Sequence, residues 1–170
     1  VAKQKGLACL LHEKPFAGIN GSGKHNNYSL STDDGLNLLS PSKDPAKNRR
    51  FLLVLAAFLE AVDDYVDLLR ASAACAGYDH RLGGCEAPPA IISVFLGENL
   101  TQELVSAAEG HSAHENERQM LHTGVAALPD FVKDDSDRNR TSPFAFTGNK
   151  FEFRMLGSSQ SIALTNVVLN

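Results

Sequence analysis

The stretch from Phe144 to Met155, FAFTGNKFEFRM, leaves the chain the least conformational choice. Two alternating runs flank Gly148-Asn149, a two-residue hairpin signal. With Gly-Asn as the turn, Thr147 faces Lys150, Phe146 faces Phe151, Ala145 faces Glu152 and Phe144 faces Phe153. Side chains alternate across a strand, so all four phenylalanines share one face, and aromatic cross-strand pairs favour that register. Lys150, Glu152 and Arg154 then project together from the other face. Glu152 stands opposite Ala145, which leaves space above it. Two readings of that face stay open: a solvated outer surface, the default for an antiparallel sheet, or a carboxylate between two cations, suited to a metal and an anionic substrate.

Phe51 to Ala76 carries the strongest helical period. Apolar residues fall at Leu52, Leu55, Leu59, Val62, Val66 and Leu69, with Asp63, Asp64, Asp67 and Arg70 on the other side. Gly77 reads as its stop. Leu7 to His12 and Tyr28 to Thr32 read as short strands, and Ala90 to Leu96 as a buried one. Asp33 to Arg50 and Gly77 to Pro89 read as connections. Thr101 resembles the N-cap of a short helix. Between Glu109 and His122, the residues His111, His114 and His122 leave a metal site possible, although a solvated segment fits them better.

Gly18 to His25, GINGSGKH, matches a P-loop in spacing but ends in histidine where a hydroxyl should hold Mg²⁺. A P-loop also needs a helix directly after it, because the helix N-terminus binds the phosphate. The following HNNYS is helix-poor. The stretch therefore reads as a close-approach loop running into extended chain, on which His25, Asn27 and Ser29 point the same way.

With 170 residues the chain can bury a core, and a net charge of −4 argues against a nucleic-acid binder. Cys9, Cys75 and Cys85 follow no metal spacing, which fits a reducing cytoplasm. No apolar run is long enough to span a bilayer. The start at Val1 and the β-prone ending IALTNVVLN suggest a fragment of a longer protein.

Three quoted segments carry a family resemblance. KPFAGINGSGKHNNYSLS resembles the glycine-loop signature of glutamine synthetases. DHRLGGCEAPPAIISVFLG and DRNRTSPFAFTGNKFEFRMLGSSQSIA are similar to the long, type III branch of that family. The resemblance runs from about Leu10 to Asn166 and is weakest from Glu109 to Asp134. It implies that residues 1–170 are part of a catalytic domain, of α+β class, with an antiparallel sheet and the helix Phe51 to Ala76 packed on one side.

The family joins ammonia to glutamate using ATP and Mg²⁺ or Mn²⁺, through a γ-glutamyl phosphate. Carried over by motif, His25 and Glu152 would ligate metal. Asn20, Gly21, Arg81 and Arg154 would bind glutamate, with the arginine forks suited to its carboxylates. Asn27, Ser29 and Lys150 would lie at the nucleotide. Arg140 would stabilise phosphate, and Glu86 would sit on a flap and help remove a proton from the ammonium-derived intermediate. The partners implied are glutamate, ammonia and further copies of the enzyme in stacked rings, in the cytoplasm, with neither nucleic acid nor membrane.

Asn27 stands where the better-known bacterial branch has histidine, and Lys150 where it has arginine. The family's other metal carboxylates lie N-terminal to this segment, so the isolated chain is expected to be catalytically silent. A relative that ligates another amine to glutamate, or a non-catalytic homologue, remains an alternative.

Overall fold

Asp44 opens the main helix, because its carboxylate accepts a hydrogen bond from the Ala46 amide at 3.0 Å and Pro45 follows at a position that needs no amide donor. The computed structural model describes all residues except 11, 15, 20, 77, 85–86, 111–119, 122–130 and 133–141. In chain order the elements are β1 (Gly23–Tyr28), α1 (Pro45–Asp64), α2 (Val66–Ala73), α3 (Tyr78–Arg81), β2 (Val94–Phe95), α4 (Glu98–Ala108), β3 (Met120–Leu121), β4 (Phe131–Val132), β5 (Phe144–Phe146), β6 (Phe151–Gly157) and α5 (Ala163–Leu169). A single 3₁₀ turn, Lys3–Lys5, precedes them.

The predicted hairpin is present in the predicted register. Phe144 pairs with Phe153, Ala145 with Glu152 and Phe146 with Phe151. The Thr147 amide donates to the Lys150 carbonyl at 2.8 Å, and Gly148 takes a φ of 94°. The sheet order is β1-β6-β5-β2, with β1 and β5 antiparallel to β6. The β2–β5 pair is parallel, so the sheet is mixed rather than purely antiparallel. β3 and β4 form a separate antiparallel pair.

The core lies between the phenylalanine face of this sheet and α1. Phe58 stacks on Phe151 at 4.7 Å between ring centroids, and also on Phe144 and Tyr28. Phe51 packs against Phe146. Phe144, Phe151, Phe153 and Met155 are fully buried. Burying aromatic rings this completely is the main favourable term available to a domain of this size.

Several sequence expectations are corrected. Residues 7–10 are not a strand, and the second strand spans Gly23–Tyr28 rather than Tyr28 to Thr32. The main helix begins six residues before Phe51, since Asp44-Pro45 is a start signal inside what composition marks as a connection. It is interrupted at Tyr65, where no glycine or proline marks the break, and α2 ends at Ala73, short of Gly77. The 77–89 connection contains α3, and only Val94–Phe95 of the expected buried strand is extended and half-buried. The next helix starts at Glu98 after Gly97, with Thr101 already inside it and its hydroxyl donating to the Gly97 carbonyl at 2.7 Å. The ending IALTNVVLN is helical: Thr165, Val168 and Leu169, spaced three and four apart, pack inward, and that face overrides the β-branched composition.

Candidate functional site

The side of the sheet away from the phenylalanines carries the predicted charged groups, because alternation turns every second residue there. β1 buries Asn26 and Tyr28 and exposes His25 and Asn27. Asn27 pairs with Glu152 in the ladder. Between Lys24 and Asn26 the register shifts, so that Arg154 and Met155 of β6 both stand against His25. Such a bulge re-aims side chains.

His25 Nδ1 approaches Glu152 Oε1 to 3.4 Å, while Arg154 Nε donates to Glu152 Oε2 at 2.9 Å. One carboxylate thus links an imidazole on one strand to a guanidinium on its own strand. Burial pushes the Glu152 carboxyl up, but the Arg154 hydrogen bond and the charges of His25 and Arg154 outweigh this and hold it below the usual carboxylate range. On β5 and β6 this face is covered, with Arg154 6% exposed and Ala145 only 1%, whereas His25 and Asn27 on β1 remain exposed.

Arg81 reaches the same stretch of β6 from α3. It is buried, and its Nη2 donates to the carbonyl of Met155, the residue after Arg154. Two guanidiniums therefore meet adjacent positions of one strand. A Cβ on Gly23 would lie 2.9 Å from Arg81 Nη1, and one on Gly21 would lie 3.3 Å from Arg81 Cγ and 2.8 Å from the Glu13 carbonyl. The glycines of the GINGSGKH loop thus make room for Arg81 and for residue 13.

Glu13 is a participant that sequence reasoning missed. Its carboxylate accepts from the Ser159 hydroxyl at 2.6 Å and the Ser159 amide at 3.1 Å. Burial raises its pKa, but the hydrogen bonds from Ser159 and then the charges of Arg81 and His12 leave it below the usual range. The only signal in the sequence is a glutamate directly before Lys14-Pro15.

Of the remaining expected residues, Asn27 and Ser29 are exposed, and Lys150 lies half-buried in the hairpin turn. Asn20, Glu86 and Arg140 lie outside the described residues, as do Arg138, Cys85, His111, His114 and His122. Among the described residues no group of three or more His, Cys, Asp or Glu side chains could hold a metal ion, so His25 and Glu152 form at most part of a coordination shell. Their donor set, one imidazole nitrogen and a carboxylate, suits a divalent cation. No helix among the described residues is long and apolar enough to cross a membrane.

Comparison with known proteins gives this geometry a context. Residues 1–93 match the family model described as glutamine synthetase, catalytic domain. The chain is 55% identical over its whole length to a type-3 glutamine synthetase of Dictyostelium discoideum, covering 23% of that protein. It is 56% identical over 152 residues to a glutamine synthetase of Butyrivibrio fibrisolvens, 89% of the chain and 22% of the relative. With a glutamine synthetase of Bacteroides fragilis the identity is 49%, over 100% of the chain and 24% of the relative. The chain thus spans about a quarter of the length of these curated relatives.

Proposed function

Because the chain belongs to the glutamine synthetase family, we propose that it supplies part of the active site of a longer ATP-dependent glutamate–ammonia ligase. The observation that carries this reading is the linked set His25–Glu152–Arg154, a metal-type donor pair held against a cation on one sheet face.

In this reaction the γ-carboxylate of glutamate takes the phosphoryl group of ATP, ammonia attacks the acyl carbon, and phosphate leaves. His25 and Glu152 would hold a divalent cation, which supplies positive charge to the transferring oxygens. Arg154 donates to the Glu152 carboxylate and orients it as a ligand. Arg81 and Arg154 anchor the carboxylates of glutamate, and Asn20 and Gly21 border that pocket. Arg140 offsets charge on the phosphoryl oxygens. Glu86 takes a proton after ammonia adds. Asn27, Ser29 and Lys150 line the nucleotide side of the face.

The enzyme would act in the cytoplasm as a homo-oligomer of stacked rings. Phosphate release by the longer protein should require glutamate, ammonia and ATP together. Equal or faster turnover with an alkylamine or polyamine in place of ammonia would instead identify a ligase for another amine.

A further inference from the structure

We propose that Glu13 is a positioning residue that sets the Arg81 guanidinium against the glycine loop and so controls how tightly the site holds glutamate. The proposal rests on the reading of Arg81 as a glutamate anchor.

Arg81 lies 4% exposed in a slot walled by Gly21, Gly23 and the Met155 carbonyl. Glu13 closes the slot through both its main chain and its side chain. Its carbonyl accepts from the Ser22 amide at 2.7 Å, which fastens the residues before the glycine loop to the loop itself. Its carboxylate is fastened to the turn after β6 by Ser159. Gly157, which pairs with Gly23 across β1 and β6, is the matching concession: a Cβ there would overlap both Glu13 carboxylate oxygens. The side chain therefore occupies a place built for it.

A buried cation needs compensating charge, and a substrate carboxylate provides it only while bound. Glu13 provides negative charge near Arg81 in the absence of substrate, consistent with the effect of Arg81 on its ionisation. Its Oε1 is engaged by Ser159, so the carboxylate acts from a fixed position. The longer enzyme with Glu13→Gln keeps an oxygen for Ser159 but loses the charge. Gly157→Ala should displace the same carboxylate while residue 13 stays a glutamate.

Both variants should raise KM for glutamate about 10-fold, the scale seen for outer-shell partners, with KM for ATP and kcat within about twofold of the parent. Arg81→Lys is the control and should raise KM for glutamate by at least as much. If Arg81→Lys raises it while Glu13→Gln and Gly157→Ala stay within about twofold, the role of Glu13 is overturned and that of Arg81 stands. If Arg81→Lys also leaves it unchanged, the anchor reading falls and the proposal with it. A fall in kcat and melting temperature with both KM values unchanged would show a merely structural Glu13 and would equally overturn the proposal.

Discussion

His25 Nδ1 lies 3.4 Å from Glu152 Oε1, across the β1–β6 pair, although the two residues come from opposite ends of the chain. Asn27 pairs with Glu152 in the ladder, so alternation sets His25 diagonally across from that carboxylate on the same face. In the longer enzyme, His25→Ala and Glu152→Ala should each weaken Mg²⁺ or Mn²⁺ affinity by roughly 100-fold or more, since losing even an outer-shell partner costs about 10–100-fold. Metal titration by calorimetry reads this directly. Affinity unchanged in both variants would remove the pair from the metal site.

Lys24, beside His25, belongs to a different system. Its Nζ donates to the Gln160 carbonyl, and the Gln160 side chain donates to the carbonyls of Ala73 and Ala74 at the end of α2. Lys24→Ala should therefore cost about 1 kcal/mol of stability in urea titration and leave turnover nearly intact. A loss of activity as complete as that of His25→Ala would contradict the assignment.

Gly148 holds the hairpin turn at a φ of 94°, with open space where a Cβ would stand. The cost of a side chain there is backbone strain alone. Gly148→Ala should destabilise the fold by about 1–2 kcal/mol, and Gly148→Asn by less, because asparagine tolerates positive φ better than alanine. Thermal unfolding of the two variants side by side gives the order.

Glu13 also links stability to pH. Its pKa is lowered in the folded state, so its ionised form contributes stability that is complete above the unfolded pKa and is lost as pH falls through the lower folded value. Glu13→Gln should flatten the acid limb of the stability–pH curve below the usual carboxylate range and leave the neutral-pH slope unchanged. An acid limb as steep as that of the parent would place the linkage elsewhere.

The isolated chain should form no γ-glutamyl hydroxamate from glutamate, hydroxylamine and ATP. Among the described residues no group of three or more metal donors forms, and a pair such as His25 and Glu152 cannot hold divalent cations in the number and geometry that phosphoryl transfer requires. Colour formation above a His25→Ala background would show that the segment is catalytically sufficient.

Local chemistry was legible where a short pattern admits one solution. FAFTGNKFEFRM admits one turn and one phenylalanine face, and both are present in the expected register. That His25 and Asn27 share a side was legible from alternation, although the strand carrying them, Gly23–Tyr28, lies before the expected one. Elements with weaker local signals were misjudged. The ending IALTNVVLN looks extended by composition, and its helical state follows from the seat its inward residues find on the core.

The sequence by itself determined the hairpin and its phenylalanine face, because these rest on spacing within one segment, and it carried the family through three motifs spread along the chain; of the long helix it determined the apolar period but neither the start at Pro45 nor the break at Tyr65. Only the tertiary structure decided that Glu152 bridges His25 and Arg154, that Arg81 fills the space in front of the loop glycines, and that Glu13 takes part at all. Apart from Glu152–Arg154, two residues apart on β6, these contacts join segments distant in the chain. Their geometry comes from strand register between β1 and β6 and from the absence of a Cβ at Gly21, Gly23 and Gly157, none of which a local pattern records.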